Sequence, residues 1–243
     1  MNIKFETKGA IDKLTKRLND IEKKHIPFAG RIAATNTVVK ARKKVQEELN
    51  SVIDRPTRMT QKAVLYEKST HKKPSARVFL RDRAQGGTPP TRFLKPLIEG
   101  GGRNMKAFEK ILARRGLMLW GERAVPAKGF KLNRYGNITG GMIKKMLSDL
   151  RIGGSKEQRQ QYRAEGVKGM FFVPKRNHPS FPPGVYMRYG RGGSKVRGIL
   201  MFVKKPTYKK RFDFHGLASK VATKHFPREL SKAFKHAWNT RKR

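Results

Sequence analysis

The side chains best suited to chemistry in this chain are cations interleaved with glycines. Tyr189-Gly-Arg-Gly-Gly-Ser-Lys-Val-Arg197 is followed closely by Lys204, Lys205, Lys209, Lys210 and Arg211. Arginine grips phosphate oxygens in a bidentate fork, and glycine lets a backbone come close to a polyanion. Arg188, Arg191, Lys195, Arg197, Lys204, Lys205, Lys209, Lys210 and Arg211 are therefore the candidate nucleic-acid-binding residues. Tyr186, Tyr189 and Tyr208 lie among them and could stack on bases, or serve as ordinary core and sheet-surface aromatics. No recognition helix or base-reading pattern accompanies them. The contact expected is with the phosphate backbone, non-specific and steeply salt dependent. An acidic protein surface would suit the same patch.

Catalytic constellations are not evident. The six histidines, at 25, 71, 178, 215, 225 and 236, form no HxxxH pair. The carboxylates after residue 55 are scattered, whereas a metal nuclease gathers them around its ions. His215 and His225, near Asp213, read as solvent-facing or satisfied core side chains. Serine, histidine and aspartate occur in no nucleophile-elbow or triad context. The expectation is a chain that is not an enzyme, with no catalytic residue, metal or cofactor. With no cysteine in the sequence, disulfides and thiolate zinc sites are excluded.

The elements that must carry these groups can be sketched from periodicity. Ile11, Leu14, Leu18 and Ile21 predict a helix from about 8 to 25. Pro27 is expected to begin a second, slim at Ala29, Gly30, Ala33, Ala34 and Ala41, basic at Lys40, Arg42, Lys43 and Lys44, and ended by Arg55-Pro56. Ala63–Glu67 and Ala76–Leu80 read as a β-hairpin. Asn104 is expected to cap a helix with Met105, Phe108 and Leu112 inward and Gly116 as its stop. Ala124–Ile138 reads as a loop, after which Thr139 caps a helix carrying Ile143, Met146, Leu147 and Leu150. Residues 153–166 read as a polar excursion, and Gly169–Val173, Gly184–Tyr189 and Gly198–Lys204 as strands. C-terminal helix pieces are expected on either side of Pro227.

This order implies an α+β fold, with an N-terminal helix pair and a C-terminal helix packed on a mainly antiparallel sheet and long Gly/Pro-rich assembly loops. Residues 1–243 read as a single domain: a helical entry over 1–55, a sheet with inserted helices and loops over 56–211, and a C-terminal helical segment over 212–243. No apolar run is long enough to cross a bilayer, and the amphipathic start lacks a signal peptide's apolar stretch, which suggests a cytosolic setting.

Charge gives the broadest constraint. Against 17 acidic residues stand 58 basic ones, a formal net charge of +41. Residues 1–55 hold 13 basic and 7 acidic side chains, so the rest of the chain carries +35. Such an excess is the electrostatic footprint of a polyanion partner, with nucleic acid first.

The helix pair followed by Asp54-Arg-Pro-Thr57, the block Pro90–Arg103, the loop Leu132-Asn-Arg-Tyr-Gly-Asn-Ile-Thr-Gly140 leading into a helix, and the closing Phe226-Pro-Arg-Glu-Leu-Ser-Lys-Ala-Phe234 occur in that order. Together they resemble tailed-bacteriophage minor tail proteins of the Z type, also described as tail completion or neck proteins. The resemblance implies a structural virion protein at the head–tail junction or upper tail, assembled in the host cytoplasm, which completes or connects the tail and lines or contacts the DNA path. Its implied partners are neighbouring portal, connector or tail proteins. It carries over no catalytic residue. A basic structural component of a ribonucleoprotein assembly is the alternative, and a metal-dependent nuclease a distant third.

In the stretch Pro89–Gly116, Phe93, Leu94, Leu97 and Ile98 form a short apolar plug between Gly86-Gly87 and Gly100–Gly102. Two readings follow. The plug docks into another copy of the chain in a symmetric ring as a subunit-interface anchor, or it fills the protein's own core.

Overall fold

The computed structural model describes residues 2–6, 20–84, 87–150 and 170–240. Most of the expected helix over 8–25, the polar excursion over 153–166 and Gly86 lie outside the described residues. The chain divides into two compact units, Met1–Gly100 with Lys209–Arg243, and Gly101–Tyr208. It is an α+β protein in which every strand pairing is antiparallel.

In the first unit, β1 (Asn2–Glu6), β2 (Val64–Glu67) and β3 (Ser75–Leu80) form a three-stranded sheet in the order β1-β3-β2. The expected hairpin is β2–β3, with Val64 opposite Leu80 and Glu67 opposite Arg77. β1 was not expected. Asn2–Glu6 is too short to declare itself and becomes a strand by pairing along the free edge of β3, Ile3 opposite Val78 and Phe5 opposite Ala76.

Helix α1 (Asp20–Val52) runs unbroken through Pro27, where two helices were expected. The C-terminal helix, Phe214–Thr240, likewise contains Pro227. A proline inside a helix removes a hydrogen bond and crowds the preceding turn, a cost of about 3 kcal/mol. Tertiary packing offsets it here, since Ala29 and Ala33 are fully buried against Ala233. The small side chains let the two helix backbones approach closely. Farther along, Ala34, Val38, Ala41, Val45 and Leu49 of α1 pack on Val64, Val78 and Leu80 of the sheet and on Phe212, Phe214 and Ala218. Asp213 caps the C-terminal helix: hydrogen bonding from the Gly216 amide, then from Lys210, holds its carboxyl below the usual carboxylate range.

Two short helices, α2 (Pro90–Phe93) and α3 (Lys95–Glu99), complete this unit. They settle the plug. Leu94 and Ile98 are 2% and 4% exposed within the core cluster, with Leu97 half-buried against it. The carbonyl of Leu97 also accepts the amides of Arg211 (2.9 Å) and Phe212 (3.1 Å), tying the segment to the entry of the C-terminal helix. Leu94 and Ile98 are therefore not the exposed anchors of the interface reading. They are core residues, drawn inward because the helical turn puts i and i+4 on one face. Phe93 alone of the four is exposed.

The second unit holds a two-stranded ribbon, β4 (Gly101–Gly102) with β9 (Thr207–Tyr208), and a four-stranded sheet in the order β5-β8-β7-β6. Its strands are β5 (Glu122–Pro126), β6 (Phe171–Phe172), β7 (Gly184–Tyr189) and β8 (Lys195–Lys204). β5 replaces the first part of the expected loop, because its backbone pairs with β8 from Glu122–Lys204 to Pro126–Leu200. Gly101 sits at φ +84, a left-handed conformation that glycine reaches without strain, and this lets the chain enter the ribbon directly from α3.

Helix α4 (Ala107–Arg114) begins later than expected, at Lys106 rather than Asn104, and stops at Gly116 with φ +70. Helix α5 (Gly140–Asp149) is capped as expected, Thr139 Oγ1 accepting the Met142 amide at 3.3 Å. Phe108, Leu112, Met146 and Leu147 of these helices pack with Val185, Met187, Ile199 and Phe202 of the sheet. The C-terminal helix is α6.

Candidate nucleic-acid interface

β7 and β8 form a hairpin whose tip is the 3-10 turn Arg191–Gly193. Gly190, Gly192 and Gly193 all have positive φ, so the expected nine-residue loop shortens to a tight reversal and β8 begins at Lys195. Arg188, Arg191, Lys195 and Arg197 are all exposed on this hairpin.

Two of these arginines are set on rings. The Arg188 guanidinium lies 4.8 Å from the centroid of Phe172, and that of Arg197 lies 5.1 Å from Tyr189 and 5.6 Å from Phe130. Stacking on an aromatic face fixes the guanidinium plane while leaving its N–H groups free, so little side-chain entropy remains to be lost on gripping an anion. Arg191 and Lys195 stand free at the tip, with no carboxylate within salt-bridge distance among the described residues.

The three tyrosines separate. Tyr186 is 6% exposed, stacked with Phe172 and tilted against Phe181, and its hydroxyl donates to the Pro182 carbonyl at 2.8 Å. Burial pushes its hydroxyl pKa up. It is a sheet aromatic with no face to offer a base. Tyr189 and Tyr208 are exposed.

Lys204 and Lys205 are exposed at the end of β8, with the Lys205 side chain lying across Gly102: a Cβ on that glycine would meet Lys205 Cε at 2.2 Å. Lys209, Lys210 and Arg211 are exposed too, but they belong to the other compact unit. There Lys210 Nζ pairs with Asp213 at 3.2 Å. The nine sequence-predicted cations thus fall into two sets, six on the second unit and three on the first.

Sequence reasoning missed the buried ion pair that supports the second unit. Glu109 is fully buried and accepts four hydrogen bonds: Arg103 Nη1 at 2.8 Å, Arg103 Nη2 at 2.5 Å, the Lys106 amide at 2.6 Å and the Ala124 amide at 2.9 Å. Burial pushes its carboxyl pKa up, and the bonds from Arg103 and the two amides more than reverse this, holding it below the usual range. Arg103 also donates to the Ala124 carbonyl at 3.1 Å and interacts with Tyr208. One carboxylate therefore joins the start of α4, strand β5 and the chain leaving β4. Beside it Arg123, 7% exposed, donates to the carbonyls of Arg103, Trp120 and Glu122. The available signal was one acid among the inward positions of α4, directly after Phe108.

Among the described residues no three of His, Cys, Asp and Glu come together as a metal site, and no helix is long and apolar enough to cross a membrane. No protein-family model, no curated protein and no solved structure matches the chain.

Proposed function

We propose that this chain is a structural protein of a tailed-phage virion, placed at the head–tail junction or upper tail, where it completes or connects the tail and touches the DNA path without reading sequence. The observation that carries the reading is the β7–β8 hairpin, an exposed glycine turn with two guanidinium groups fixed on aromatic rings and two further cations free at its tip. A phosphate backbone fits such a surface because the recognition is of charge spacing alone. The net charge of +41 agrees with an assembly whose partner is a polyanion, and the order of sequence blocks agrees with the Z-type tail proteins. Other copies of the chain in a ring, portal or connector neighbours, and DNA are its proposed partners.

The test is particle fractionation. In a lysate of cells producing the protein, density-gradient bands analysed by mass spectrometry should place the chain in complete tailed particles, at a fixed ratio to the other tail proteins. Finding it instead with RNA-containing particles would overturn the proposal in favour of a ribonucleoprotein component.

A further inference from the structure

In the first unit, α1 and α6 run antiparallel and leave a groove that shares only Arg211 with the candidate nucleic-acid-binding residues. Two stripes line it. On α1, Lys40, Lys43, Lys44 and Glu47 recur at i, i+3, i+4 and i+7; on α6, Leu217, Lys220, Val221 and Lys224 do the same. They enclose a cavity of about 470 Å³. A second cavity of about 410 Å³, reaching Arg211 and Asp213, shares Leu217 and Lys220 with the first. The depression therefore follows α6 from Asp213 to His225, about 18 Å at 1.5 Å per residue.

Its chemistry is two-layered. Leu217 and Val221 are half-buried on the unit's core and form an apolar floor. Lysines rise on both banks. Lys40 is held by Glu229 at 2.5 Å, and Lys44 lies 3.9 Å from Glu47. Lys43, Lys220 and Lys224 have no carboxylate within salt-bridge distance among the described residues. Lysine stems are themselves aliphatic, so the walls remain apolar up to the ammonium groups.

We infer that this groove docks an acidic amphipathic helix of a partner protein. A helix laid between two antiparallel helices puts residues at i, i+3, i+4 and i+7 into the seam, where apolar side chains would cover Leu217 and Val221. Carboxylates flanking that stripe would reach Lys43 on one bank and Lys220 and Lys224 on the other. A phosphodiester backbone would satisfy the lysines and leave the floor uncovered, which is why an acidic helix is the better occupant. The inference is independent of DNA contact at the hairpin.

The probe is a fluorescein-labelled peptide of about four helical turns, with leucine at i, i+3, i+4 and i+7 and glutamate beside them, titrated with the full chain. Its control has serine for every leucine and the same charge. The leucine peptide should bind, with the serine peptide at least about tenfold weaker. Lys43→Glu, Lys220→Glu and Lys224→Glu together should abolish binding of the leucine peptide while the far-ultraviolet spectrum stays that of the parent. Should that variant fail to fold, Lys43→Gln, Lys220→Gln and Lys224→Gln supply the same test. Equal binding of the two peptides, or binding that survives in the folded lysine variant, overturns the inference. So does a result in which the lysine variant loses duplex DNA affinity and DNA displaces the peptide, which would make the groove a nucleic-acid site.

Discussion

Replacing Glu109 by Gln tests the physical account of the second unit. The substitution keeps shape and volume, so packing of α4 changes little. Four donors converge on the two carboxylate oxygens, two from Arg103 and one each from the Lys106 and Ala124 amides. Glutamine offers one oxygen and turns an NH2 toward the others, and it leaves the Arg103 guanidinium, whose side chain is only 18% exposed, without a counter-charge. Removing one partner of a buried pair costs about 3–5 kcal/mol, a large part of a typical domain's stability. Thermal unfolding of the full chain, followed by circular dichroism, should show the transition fall by on the order of 10 °C or more. The sign with pH follows from the same site. Because folding depresses the Glu109 pKa, its contribution is complete above the unfolded value and is lost as pH falls through the folded one. The parent should therefore lose stability in acid below about pH 4, and the Gln variant should show less of that loss. A Gln variant melting within a degree of the parent at neutral pH would refute the reasoning.

The plug yields a graded series. Leu94→Ala, at a site 2% exposed, should cost about 2–5 kcal/mol, whereas Phe93→Ala, at 38% exposure, should cost about 1 kcal/mol or less; urea unfolding of both separates them, and equal losses would contradict the core assignment. Duplex DNA binding should weaken linearly on a log–log plot against salt. Changing Arg191, Lys195, Lys204 and Lys205 to Ser should flatten that slope by roughly 0.9 for each phosphate contact removed, and an unchanged slope would move the contact away from these four cations.

The parts of the fold legible in the sequence are those where local rules and tertiary packing agree. Ala76, Val78 and Leu80 alternate onto the core and mark β3. Thr139 and Gly116 mark helix ends because their roles are local, one through a side-chain oxygen and the other through a left-handed φ. Legibility fails where distant partners decide. Pro27 and Pro227 look like breaks, yet Ala29, Ala33 and Ala233 hold the helices through them. β1 and β5 exist because β3 and β8 offer edges to pair with. For the candidate site, the sequence located the exposed cations but not the aromatic rings beneath Arg188 and Arg197, nor the burial of Tyr186. Nor did it separate Lys209–Arg211 from the rest, since that division follows a boundary between compact units rather than any change in composition.

The choice between arginine and lysine gives the two basic surfaces different physics. At the hairpin the Arg188 and Arg197 guanidinium groups sit over aromatic rings, with their donors left to a partner. Attraction there is almost wholly between charges, so salt should remove it steeply. In the α1–α6 groove lysine ammonium groups surround a hydrocarbon floor formed by Leu217 and Val221. Salt screens those ammonium groups, but it leaves intact the gain from covering apolar surface. An acidic helix in the groove should therefore retain affinity at ionic strengths that release DNA from the hairpin. Were both proposals to hold, that difference would let one chain keep a protein neighbour while its grip on nucleic acid stayed weak enough for DNA to slide past.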